Sequence, residues 1–230
     1  MNKLAIATLL LVCHGPRLAA QAVGSLPERS PFADIRESQR IGVEAGWLST
    51  ARDKAVVGPK SGPLVGLRYD FHAGGPAYLT SHLFGVSTTR DVLDYTRKKE
   101  QRKTGTQSST LVGGDVGLSL ALTGARSFHK WQPLINANVG VVSGVGDKPD
   151  VSKYSFGTGF YLGLGFGARY VTGQNSEFRG DIGWRYWKLK YPETFRSTDG
   201  DPIAIVPSGS LSPWTANRAI TLSWTWGIFR

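Results

Sequence analysis

The chain has 230 residues, among them 29 glycines, seven tryptophans and a single cysteine, with a formal net charge of +10. One cysteine excludes a disulfide-built scaffold, and the length suits one β-barrel or sandwich domain, or at most two small domains. No run of 18 apolar residues occurs, which excludes a transmembrane helix but not a barrel, whose strands need only about 9–11 residues each.

Residues 1–22 read as an export signal, with Lys3 at the start, an apolar run over 4–13 and an A-x-A cleavage site at Ala20, Gln21 and Ala22. Val12 stands where a lipoprotein signal needs a small residue before Cys13, so lipidation is not expected. Residues 23–38 are polar and proline-containing, a short periplasmic tether ahead of a barrel spanning 39–230.

From there period-two alternation predicts eight strands, over 39–48, 64–72, 77–87, 109–122, 131–142, 156–171, 177–190 and 216–229. Short links at 73–76, 123–130 and 172–176 alternate with longer ones at 49–63, 88–108, 143–155 and 191–215. Outer-membrane barrels alternate short periplasmic turns with long extracellular loops in this way, and a Greek-key sandwich has no reason to.

The two strand faces differ sharply. One carries rows such as Val65, Leu67, Tyr69 and Phe71, or Ile220, Leu222, Trp224, Trp226 and Ile228, with no charge in any row. The other carries ten glycines, the acids Glu44, Asp70, Asp115 and Asp181, and the arginines Arg68, Arg169, Arg179 and Arg185. A soluble barrel would turn the charged face to water, where glycines only weaken strands. A narrow membrane barrel instead fills its lumen with side chains and presents its large apolar residues to lipid, where an Arg or Lys costs about 2–4 kcal/mol at mid-bilayer. The eight charged residues are therefore expected as an interior polar network. Four acids against four arginines point to ion pairs that plug the lumen. The strand at 77–87 resists assignment: Tyr78, Thr80, His82, Phe84 and Val86 alternate with Leu79, Ser81, Leu83 and Gly85, and a bulge is one explanation.

With these rows, and with the aromatic-rich final strand from Ile220 to Phe229, residues 39–229 resemble the small eight-stranded outer-membrane barrels of the OmpA/OmpX type. The resemblance implies an all-β, antiparallel, up-and-down transmembrane barrel in the bacterial outer membrane, delivered by periplasmic chaperones and the barrel assembly machinery. Barrels of that family end on an aromatic residue in phase with the apolar row. Here Phe229 is out of phase and Arg230 follows it.

Chemistry is sparse. His72, His82 and His129 lack the carboxylate, thiol or hydroxyl spacing that metal sites and triads need. The His-x-Ser arrangement of outer-membrane lipid A deacylases is missing. The glycines at 157, 159, 163, 165 and 167 lie in an alternating strand with no following helix, so they are no phosphate loop. Neither a cofactor nor a metal is expected. Loss of Lys3 and Arg17 with the signal brings +10 to +8, an excess that belongs to loops and rims. The second long loop holds Arg90, Arg97, Lys98, Lys99, Arg102 and Lys103, a basic extracellular surface for lipopolysaccharide phosphates or no partner at all. Nucleic acid lies in another compartment.

The expectation is a non-enzymatic outer-membrane barrel with a salt-bridged, largely plugged interior and an envelope-structural or surface-interaction role. Three rivals stand beside it: a narrow gated channel for small solutes, a lipid-modifying barrel enzyme, and a soluble exported lipocalin-like carrier.

Overall fold

The computed structural model describes residues 30–35, 39–53, 55–94, 96–146, 151–173, 175–196, 206 and 211–228. The export signal, most of the tether, and Phe229 with Arg230 lie outside the described residues. Among the described residues ten strands occur: β1 (Phe32–Asp34), β2 (Arg40–Ser49), β3 (Gly62–Gly74), β4 (Ala77–Leu93), β5 (Lys103–Ala121), β6 (Arg126–Phe128), β7 (Trp131–Val145), β8 (Thr158–Val171), β9 (Ser176–Lys188) and β10 (Trp214–Gly227).

Eight of them close a ring in the order β7-β5-β4-β3-β2-β10-β9-β8, and the β7–β8 pairing completes it. Every neighbouring pair is antiparallel. Closure removes the free edges that an open sheet must protect. The tightest link, between β3 and β4, turns on Gly74 and Gly75, both at positive φ (130° and 56°), where a Cβ is strained.

The faces separate as the alternation predicts. Outward residues such as Leu222 (72 % exposed), Val65 (63 %) and Leu83 (63 %) are open, while Asp70 (1 %), Arg179 (1 %) and Arg169 (0 %) are closed off inside. Large apolar side chains outside and charges inside suit a wall surrounded by lipid and no soluble carrier. Interior glycines make room for the long polar groups opposite them. A Cβ on Gly167 would collide with Asp181, and one on Gly163 with Asn138.

β4 and β5 run further than expected at their loop end, to Leu93 and from Lys103. Ser87 pairs with Thr110, Thr89 with Ser108 and Asp91 with Thr106, so the extension is polar outside and lies beyond the apolar band. Hydroxyl-rich strands without an apolar row carry no hydrophobic period, which is why these residues read as loop. No bulge interrupts 77–87. The pairing with β5 shifts at Val92–Leu93 and the pairing with β3 shifts at His72–Gly74, where the extra residue belongs to β3, so Tyr78, Thr80, His82, Phe84 and Val86 all face inward.

Residues 32–35, expected as tether, are ordered. β1 pairs with β6 in the link between β5 and β7, Phe32 meets Phe128 at a ring distance of 5.2 Å, and the Ile35 amide donates to the Ala125 carbonyl at 3.0 Å. β2 lies four strands round the ring from β7 in either direction. β1 and the start of β2 therefore lie on opposite sides of the periplasmic mouth.

Candidate functional site

The lumen holds two layers. At the turn end, four charges form one cluster. The Arg68 Nε donates to Asp70 at 2.8 Å and its Nη1 to Asp181 at 3.1 Å. The Arg179 Nε donates to Asp181 at 2.9 Å, with its Nη1 3.8 Å from Asp70. Asn136 joins them, donating to Asp181 at 2.7 Å and accepting from Arg179 at 2.7 Å. These groups come from β3, β7 and β9, so the cluster ties opposite walls together.

Below it Arg169 pairs with Glu177 at 3.1 Å, and Arg40 pairs with the same carboxylate at 3.0 Å. Arg169 also lies over the Tyr78 ring, 4.5 Å from its centroid. Above it Asp115 accepts from His82 at 2.6 Å and from the Tyr161 hydroxyl. Arg185 lies 4.0 Å from the Phe84 ring centroid. Glu44 is buried beside Gly66.

All eight residues of the expected interior network thus point inward. Arg68, Asp70, Arg179 and Asp181 are joined in one cluster, while Asp115, Arg169 and Arg185 take other partners. The sequence reading missed Arg40 and Glu177, although their strand parity matches Glu44 and Arg179. One added base and one added acid leave the charge balance unchanged. Sequence spacing also assigned His82 no carboxylate partner, whereas the imidazole sits on Asp115 from the neighbouring strand. Its neighbour Ser81 points the other way, and the hydroxyl that adjoins the pair is that of Tyr161. A chamber of about 60 Å³ remains, lined by Arg68, His82, Asn138, Asp181 and their neighbours, enough for a few waters.

At the loop end the lumen is apolar. Leu48, Leu64, Val86, Leu111, Val142 and Trp187 face inward from the wall, and the loops add Val57, Tyr154, Phe156, Tyr191 and Phe195. Phe156 meets Trp187 edge-on at 5.9 Å, and Tyr191 packs on Phe195 at 5.9 Å. Asp53 pins the first long loop, accepting from the amides of Val57 and Gly58 and from the Tyr191 hydroxyl at 2.8 Å. The loops close the mouth as a stopper.

The expected basic surface is redistributed. Arg90 is no loop residue: it lies in β4 with its side chain fully buried, 5.5 Å from the Tyr154 ring centroid, and donates to Gln107 at 2.8 Å. Arg102 is also buried, its Nε donating to the Arg97 carbonyl at 3.1 Å. Extension of the β4–β5 hairpin draws both inward. Arg97 and Lys98 remain exposed, Lys99 opens a 3-10 turn over Lys99–Gln101, and Lys103 reaches Asp91 at 3.1 Å. Burial pushes the Asp91 carboxyl up, but hydrogen bonds from Lys60 and Lys103 outweigh it and hold the group below the usual carboxylate range. His72 contacts the Gly75 carbonyl at 3.0 Å, and His129 occupies the β6–β7 turn at positive φ, both at the periplasmic end. Among the described residues no group of three His, Cys, Asp or Glu side chains is placed to hold a metal.

No protein-family model matches the sequence, and no curated protein sequence does. Solved structures do match. Neisserial surface protein A aligns with a TM-score of 0.51 at 10% identity, over 83% of this chain and 97% of that one. The outer membrane protein OprG from Pseudomonas aeruginosa aligns with a TM-score of 0.51 at 9% identity, over 85% and 99%. Such likeness shows the fold, that of a small eight-stranded outer-membrane β-barrel.

Proposed function

We propose that the protein is a non-conducting barrel of the bacterial outer membrane, working from its outer surface as an envelope-structural or surface-interaction protein and carrying out no chemistry. One observation carries this reading: among the described residues the lumen is filled twice over, by an ion-paired belt and by a largely apolar stopper, with a chamber of about 60 Å³ within the belt. A solute path needs a continuous wet channel, and a plug built mainly of apolar and aromatic side chains opposes one. Buried charges tied to partners on opposite walls resist rearrangement, because separating them leaves each unpaired in a low-dielectric interior. On this reading function falls to the rim, the loops and the lipid-facing wall.

Planar-bilayer recording on purified barrel, shown to be folded by its gel shift on boiling, tests the reading. A silent bilayer is the expected result. Reproducible conductance steps that vanish when the protein is boiled would give the lead to the gated channel.

A further inference from the structure

The lipid-facing wall of β8, β9 and β10 has a gap in its row of large residues. Ala168 and Gly180 stand opposite each other in register, with Leu222 next across the sheet from Gly180. The two missing side chains leave a groove of about 510 Å³, walled by Phe166, Ile182, Trp184, Ile220 and Leu222. Inside the barrel glycine is forced by what lies opposite. At Gly180 it is not: an added Cβ would meet only Leu222 Cδ2, at an ordinary 3.4 Å, and the backbone is not at positive φ. Neither packing nor conformation accounts for glycine there, and it weakens the strand.

A cation stands at the loop end of this groove. The outward row of β10 runs uncharged from Trp226 through Ile220 and then reaches Arg218, exposed and in register with Trp184 on one side and Ser49 on the other. Four residues further along the sheet, about 13 Å at strand rise, Lys188 is exposed opposite Trp214, its Nζ 5.3 Å from the ring centroid. Tryptophans mark the membrane interface, where an outward cation costs little and lies within reach of headgroups. The long-loop end is the extracellular end.

We infer that this wall binds one molecule of lipid A, the phosphorylated, multiply acylated anchor of lipopolysaccharide, with an acyl chain in the groove and phosphate on Arg218 and Lys188. The inference rests on the outer-membrane reading above and adds the partner. Charge complementarity selects the occupant: guanidinium binds phosphate through paired hydrogen bonds, and two cations about 13 Å apart along the strand direction suit a headgroup with two anionic groups. The groove runs from beside the turn-side aromatics Tyr170, Phe178 and Trp224 up to Trp184, which is in register with Arg218, so an acyl chain hanging from a headgroup on Arg218 passes down into it.

Native mass spectrometry of the detergent-solubilised full barrel with equimolar bis-phosphorylated lipid A provides the test, after each protein has passed the boiling-shift check. A one-to-one adduct is expected. Arg218→Glu should weaken it about fivefold or more, and Arg218→Gln somewhat less, since each interfacial cation is worth roughly 1 kcal/mol. Gly180→Leu should weaken it by filling the groove while leaving both cations in place. Adducts undiminished in the Arg218 variants and Gly180→Leu, or equal retention of dephosphorylated lipid A or phosphatidylglycerol, overturn the inference. A wild-type barrel that shifts on boiling yet holds no lipid A sinks this inference alone. A wild-type chain with no shift sinks the barrel reading beneath it.

Discussion

The two halves of the lumen solve one packing problem in opposite ways. Toward the turns, the wall brings Arg68, Asp70, Arg179 and Asp181 together and satisfies them with one another. Toward the loops, the same inward positions carry Leu64, Leu111 and Trp187, and the loops supply aromatic rings to cover them. The charged half is specific, because each ion has geometric demands and few acceptable neighbours. The apolar half is tolerant, because dispersion contacts accept many partners of the right volume. A barrel with only the first would leave its outer mouth open to water, and one with only the second would have little to fix the register of its strands.

The largest expected effect comes from Arg179→Ala. It leaves Asp181 with only Arg68 and Asn136 and weakens the hold on Asp70, and removing one partner of a buried ionic group costs about 3–5 kcal/mol. Urea titration followed by the boiling-shift band should show the loss, and a smaller drop than that of Trp187→Ala would reverse the ranking of the two layers. Trp187→Ala, which empties the centre of the stopper, should follow at about 3–4 kcal/mol. The double replacement Arg68→Met with Asp70→Leu sharpens the contrast. If the belt contributes register rather than energy, the double variant should come within about 1–2 kcal/mol of wild type in stability. It should also give broader amide NMR signals from β3 and β4, and unchanged spectra would remove the register argument.

The smallest effect concerns Asp91, outside the membrane band. Its folded-state acidity is strengthened, so its contribution is present above the ordinary carboxylate value near 4 and is lost as pH falls through the lower folded value. Lys60 and Lys103 are about half open to water, which limits the contribution to about 0.2–1 kcal/mol. Asp91→Asn should flatten that part of the stability-versus-pH curve, and an unchanged curve would assign the acid response to other carboxylates.

The charged layer was legible in sequence and the apolar layer was not, for one physical reason. Where lumen residues are charged, the inner and outer faces differ in chemistry and parity alone sorts them, as at Arg68 and Asp70. Where the lumen turns apolar, both faces look alike: Phe84 and Val86 point in while Leu83 points out, and no composition rule separates them. The stopper was also hidden because Tyr154, Tyr191 and Phe195 reach it from loops far apart in the chain. Arg218 escaped notice because the uncharged β10 row was read only from Ile220 onward. One more step in phase reaches it.

β1 at the β6 link and the start of β2 stand on opposite sides of the periplasmic mouth, so the short N-terminal strand acts as a clasp on the far wall. β6 belongs to the connection between β5 and β7, so β1 has a partner only where those two strands stand side by side. The Phe32–Phe128 ring contact and the Ile35 amide on the Ala125 carbonyl thereby tie the residues ahead of β2 to the strands most distant from it round the ring.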